Sequence, residues 1–274
     1  MSGQFFTNKK EEGKMKKLIL ALVIGSFMVG TAFAQTYKEE YSAGMAKYVA
    51  GDYAGALPIF QEALKLATTG IEKSGAQLFS GHCYYMKNNF PVAKIEYAKV
   101  LIIENARPTD QSKAQLGIGY CDYREGNYSV AKVAFAKTHN IKDGSPQHKS
   151  AAMLYEGYCC GWEGNIVEAQ EAYIKTCKIR GAAINDVKAA FNQIDKVALG
   201  REEYCHLLIE IIINLNADRD TNAGFIATLA SKFDGEIGLG IVPDRFDKEG
   251  NPVKDFSAKG MKDRYQEVFS EEYK

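Results

Sequence analysis

The chain reads as all-α, a stack of antiparallel helical hairpins, and three observations predict this. Glycines recur at Gly44, Gly81, Gly119 and Gly157, spaced 37, 38 and 38 residues apart. Each is followed, at the same distances every time, by a bulky apolar residue, an alanine and an aromatic. A pair of turn-forming residues stands just ahead of the bulky residue in every copy. A fixed period of this size is the mark of a repeat architecture, in which each unit buries its apolar face only against its neighbours.

The bulky residues, nine positions after each glycine, are Tyr53, Phe90, Tyr128 and Ile166. Three positions further stand Ala56, Ala93, Ala131 and Ala169, and four beyond those Phe60, Tyr97, Phe135 and Tyr173. Around each glycine, apolar residues recur at helical spacing and predict a first helix. Gly51-Asp52, Asn88-Asn89, Gly126-Asn127 and Gly164-Asn165 end it. Gly and Asn tolerate the left-handed backbone conformation that a helix terminus requires. A second helix follows. The small glycine and alanine let the two helices approach, and the aromatic fills the space beside them. Pro91 falls in the first turn of its helix, where proline is tolerated. Pro58 lies deeper and is expected to kink or loosen its helix.

Residues 35–181 hold these four units. Residues 182–234 read as a degenerate hairpin and a capping helix: helices over 185–199 and 201–215, with 221–233 closing the stack. Residues 235–274 read as a Gly-, Asp- and Pro-rich loop followed by a C-terminal helical tail.

Residues 1–34 read as a signal peptide. Lys14, Lys16 and Lys17 precede a 12-residue apolar run from Leu18 to Val29. A bilayer span needs roughly 20 residues, so the run fits a signal-peptide core better than an uncleaved anchor helix. Ala32-Phe33-Ala34 places cleavage after Ala34, and the natural start is placed at Met15. No Cys follows the cleavage site to carry a lipid. The expected location is therefore periplasmic or secreted, with no stable membrane insertion after cleavage. Basic and acidic residues balance at 34 each; removing five lysines and two glutamates with the leader leaves 29 and 32. That balance excludes the basic excess of a nucleic-acid binder.

The glycine, turn aromatic, alanine and second aromatic resemble the signature of the tetratricopeptide repeat family, with Ile166 replacing the turn aromatic in the fourth unit. The period of 37–38 exceeds the family's usual length, and the extra residues fall between units, as in 105–110 and 142–146. The resemblance is to the longer-period repeats of periplasmic bacterial proteins. It implies a right-handed solenoid whose first helices line a groove that takes a protein or extended peptide. In this chain that groove would carry Tyr48, Tyr85, Tyr120, Tyr123 and Tyr158, with Arg124 positioned to meet a ligand carboxylate through a forked hydrogen bond. Tyr85 and Tyr123 would be its centre; Met45, His82 and Trp162 lie on the same helices. A tyrosine-lined groove also suits sugar rings, which makes glycan or peptidoglycan binding the second reading. A third is that these tyrosines only pack between neighbouring units.

No catalytic constellation emerges, and no enzymatic activity, cofactor or metal is expected. His82, His139, His148 and His206 are scattered without ligand spacing. Cys83, Cys121 and Cys159 repeat at 38-residue intervals and read as small buried residues between first helices. Cys160, Cys177 and Cys205 are the candidates for a disulfide.

Overall fold

The computed structural model describes residues 36–195, 199–215, 219–237, 245–246, 252–253, 263 and 266. The leader, its cleavage site and nearly all of the C-terminal tail lie outside them. The architecture is all-helical, with consecutive helices in contact as a helical repeat. The helices are α1 (36–49), α2 (Tyr53–Leu66), α3 (Gly70–Met86), α4 (Phe90–Leu101), α5 (Pro108–Arg124), α6 (Tyr128–His139), α7 (Pro146–Trp162), α8 (Ile166–Lys178), α9 (Ile184–Gln193), α10 (Arg201–Leu215) and α11 (Arg219–Ile237). Two compact units divide within α5, one ending at Ala114 and the other beginning at Gln115.

The repeat has a simple physical basis. In each hairpin the first-helix glycine faces the second-helix aromatic so closely that a β-carbon would collide with the ring. The approach would be 2.9 Å for Gly44 and Phe60, 2.6 Å for Gly81 and Tyr97, and 2.5 Å for Gly157 and Tyr173; Gly119 and Phe135 meet in the same way. The four aromatics are buried, and so are Ala56, Ala93, Ala131 and Ala169. The hairpin turns place Gly51, Asn88, Gly126 and Gly164 at positive φ. Asp52 and Asn89 then cap the next helix, accepting hydrogen bonds from the backbone N–H of Gly55 and Val92. Helix α2 runs through Pro58 from Tyr53 to Leu66, held by the burial of Ala56, Leu57, Phe60 and Ala63.

The turns between hairpins carry a second repeat that the sequence reading missed. Asn105, Asp143 and Gly181 all have positive φ and stand 38 residues apart. Three residues after each, a new helix begins, at Pro108, Pro146 and Ile184. The prolines thus open the first helices, where a missing N–H costs nothing. In the first unit Ser74 donates to the buried carboxylate of Asp110 at 2.7 Å and accepts from the N–H of Arg107. In the second, Ser150 donates to Asp186 at 2.6 Å and accepts from the N–H of Ala183. This serine clamp fastens the turns at Asn105 and Gly181 to the preceding first helix.

The C-terminal part corrects several expectations. The helix expected over 185–199 ends at Gln193, with Ile194 extended. The reason is tertiary: Gln170 of α8 donates to the carbonyl of Gln193 and accepts from the N–H of Asp195, taking the groups a longer helix would have used. Val197 lies outside the described residues. Helix α10 matches its expected bounds, whereas α11 extends past 221–233 at both ends. Its Ile226, Leu229, Ala230 and Phe233 join Leu208, Ile209, Ile211 and Ile212 of α10 in one apolar cluster. Within the expected loop, Arg245–Phe246 and Pro252–Val253 pair as a two-residue antiparallel hairpin. Residues 263 and 266 of the tail are helical.

Candidate functional site

In the second unit, the C-terminal half of α5 and the length of α7 present aromatic residues toward one another. Tyr120 and Tyr123 are three apart on α5; Tyr155, Tyr158 and Trp162 fall at helical spacing on α7. Each set therefore shares one helix face. Tyr155 is the hub. Its ring centroid lies 4.6 Å from Tyr120, 5.2 Å from Tyr123 and 5.3 Å from Tyr158, all edge to face. Such geometry sets the positive edge of one ring against the negative face of the next.

The cluster grades from core to solvent. On the inner side Tyr120 meets Phe135 and Tyr158 meets Tyr173, the buried aromatics of the repeat. On the outer side Tyr128, the turn aromatic, lies edge to face with Tyr123 and stacks nearly parallel with Trp162 at 5.8 Å and 6°. The indole N–H of Trp162 donates to the Tyr123 hydroxyl at 3.1 Å. Trp162 is nevertheless 67% exposed, so the cluster ends in an open indole ring fixed by a stack and a hydrogen bond. Isoleucine and valine follow at 166 and 167, 61% and 74% exposed.

Of the sequence-predicted residues, Tyr120, Tyr123 and Tyr158 enter this cluster. Arg124 is exposed in the last turn of α5, where a cation complements the helix dipole. Tyr48 and Tyr85 belong to the first unit. Tyr48 is half-buried, 5.3 Å from both Tyr53 and Phe79, and desolvation raises its phenol pKa. Tyr85 lies 5.5 Å from Phe90. The hub Tyr155 was missed in the sequence, although its position three residues before Tyr158 on the same helix was legible.

His82, expected on the groove, is instead an internal group of the first unit. Its Nδ1 lies 2.8 Å from the Tyr97 hydroxyl, and its ring lies against Phe79 and Tyr97. Desolvation, with the nearby Lys113 cation, pushes its pKa down to about 4, leaving a neutral imidazole near pH 7. The six cysteines are buried free thiols, the disulfide candidates Cys160, Cys177 and Cys205 included. Burial pushes the thiols of Cys83 to about 11 and of Cys159 and Cys177 to about 12. Among the described residues no cluster of His, Cys, Asp and Glu is placed to hold a metal ion, and no helix is long and apolar enough to cross a membrane.

No protein-family model matches the chain, and no curated protein matches its sequence.

Proposed function

We propose that the protein is an exported tetratricopeptide-like scaffold of the cell envelope, and that it binds a protein partner through an extended segment laid along α5 and α7. The observation carrying this reading is the graded aromatic cluster, which ends in the exposed yet immobilised Trp162. Aromatic anchors bury large areas at low entropic cost, and pre-fixing such a ring lowers the ordering cost of binding further. Tyr120, Tyr123 and Tyr158 supply the supporting wall. Arg124, at the end of α5, would extend the contact surface of this unit. The leader-like N-terminus supports the export part of the reading.

A second reading, binding of peptidoglycan or another glycan, is favoured by the open indole face, since a flat exposed ring also stacks on sugars. One experiment separates the two. Wild type and Trp162→Ala are compared for retention of envelope proteins and for co-sedimentation with purified peptidoglycan, with melting temperatures recorded. A discrete protein retained by wild type and lost with Trp162→Ala, at unchanged melting, supports the scaffold. Sedimentation with peptidoglycan that depends on Trp162, without protein retention, replaces it with the glycan reading. Retention indifferent to Trp162 removes the cluster as the binding site.

A further inference from the structure

Apart from the aromatic cluster, the second unit contains a cavity of about 340 Å³. It lies among the end of α8, the turn from Ile179 to Ala182, helix α9, the C-terminus of α10 and Asn222 of α11, with Gln147 of α7 on its wall. A cavity of about 150 Å³ holds benzene, and small-molecule pockets begin at about 300 Å³. The volume therefore suits a ligand of modest size.

The lining is divided by chemistry. Ile184, Val187, Ile211 and Leu215 make an aliphatic wall. Cys177 adds a neutral thiol that donates to the Val187 carbonyl. Among the described residues of the lining, Arg180 is the cation and there is no Asp or Glu. Its guanidinium, at an exposed position in the turn, makes no ion pair or hydrogen bond with a described residue. That contrasts with Lys178 close by, which pairs with Glu210 at 3.0 Å. Gln147 accepts from Ser145 through its carboxamide oxygen, leaving its N–H groups without a described partner. Asn222 is only 7% exposed; its amide donates to the Leu215 carbonyl at 3.5 Å, and its own oxygen accepts from no described residue.

These observations fit one ligand chemistry. The unpaired guanidinium and the free Gln147 N–H groups suit a carboxylate, which Arg can hold by paired hydrogen bonds. The Asn222 oxygen suits an N–H donor beside that carboxylate. The aliphatic wall suits a branched side chain. We infer that this cavity binds an aliphatic α-amino acid, free or N-acylated as at the end of a peptide chain. The inference stands apart from the aromatic cluster and does not depend on partner binding there.

The test is calorimetric titration of the full chain with L-leucine, N-acetyl-L-leucine and N-acetyl-L-leucine amide. Saturable binding of either acid is expected, with the amide weaker by at least about tenfold, the worth of one charge-assisted hydrogen bond. Arg180→Gln should weaken the acid by a similar factor without altering the melting temperature, because Arg180 is exposed. Ala182→Phe, which fills the cavity and leaves Arg180 in place, should abolish binding. Binding of leucine alone identifies the free amino acid as the ligand; binding of the acetylated form alone identifies a peptide end. Absence of binding by both acids at millimolar concentration overturns the inference. So does an amide that binds as tightly as its acid, or an Arg180→Gln protein with unchanged affinity.

Discussion

Gly81 of α3 and Tyr97 of α4 stand so close that a β-carbon on the glycine would lie 2.6 Å from the ring. Tyr97 is 1% exposed and its hydroxyl is engaged by His82, so it has no space into which to withdraw. Gly81→Ala should therefore destabilise the protein by about 1–3 kcal/mol, as overpacking does in a filled core. Gly126→Ala, where nothing lies near the added carbon but φ is positive, should cost only about 1 kcal/mol, from backbone strain alone. Urea denaturation of both variants checks the ranking, and equal costs would show that the close approach is relieved by movement of the helices.

His82 links stability to pH. Its folded pKa, about 4, lies below the ordinary value of 6.5. The unfolded chain thus binds the proton more readily, and the stabilising effect present above about pH 6.5 is lost as pH falls toward 4. The shift corresponds to about 3 kcal/mol at full development. Unfolding free energies measured between pH 7 and 4 should show this loss, and His82→Gln, which can still hydrogen-bond to Tyr97, should flatten it. A variant with an unchanged acid limb would place the titration elsewhere.

The thiols should be inert in the native state. Attack requires the thiolate, and burial holds Cys83, Cys159 and Cys177 far above the ordinary cysteine range. A thiol reagent at pH 8 should label the native protein slowly, at the rate of unfolding, and label six cysteines rapidly in denaturant. Fast labelling of any one of them would show a local opening at that helix.

Ser74 should matter more than a surface serine. Its hydroxyl is a hydrogen-bond donor to the buried Asp110 carboxylate, and it also receives the Arg107 N–H. Ser74→Ala removes both contacts and leaves Asp110 with the Arg107 guanidinium at 3.0 Å. The expected cost is about 1–3 kcal/mol. Thermal melting against Ser129→Ala, at an exposed position on α6, measures the difference.

The sequence by itself determined the hairpin repeat. Glycine, turn pair, alanine and aromatic recur because each hairpin must solve the same local problem of close helix approach, and a local solution leaves a fixed spacing in the chain. The pairing of Gly81 with Tyr97 and the turn at Asn88 were legible for that reason. The inter-hairpin clamp was less so, since Ser74 and Asp110 are 36 residues apart and only the fold shows that they touch. The end of α9 at Gln193 was decided by a side chain from another helix, which no periodicity within residues 185–199 could announce. The aromatic residues illustrate the same division. Helical spacing put Tyr120 and Tyr123 on one face, but their exposure depended on what packs across from them. Tertiary structure made Tyr155 the hub, left Trp162 open to solvent and drew His82 inward. Burial is a property of the neighbours a residue acquires, and those neighbours come from distant parts of the chain.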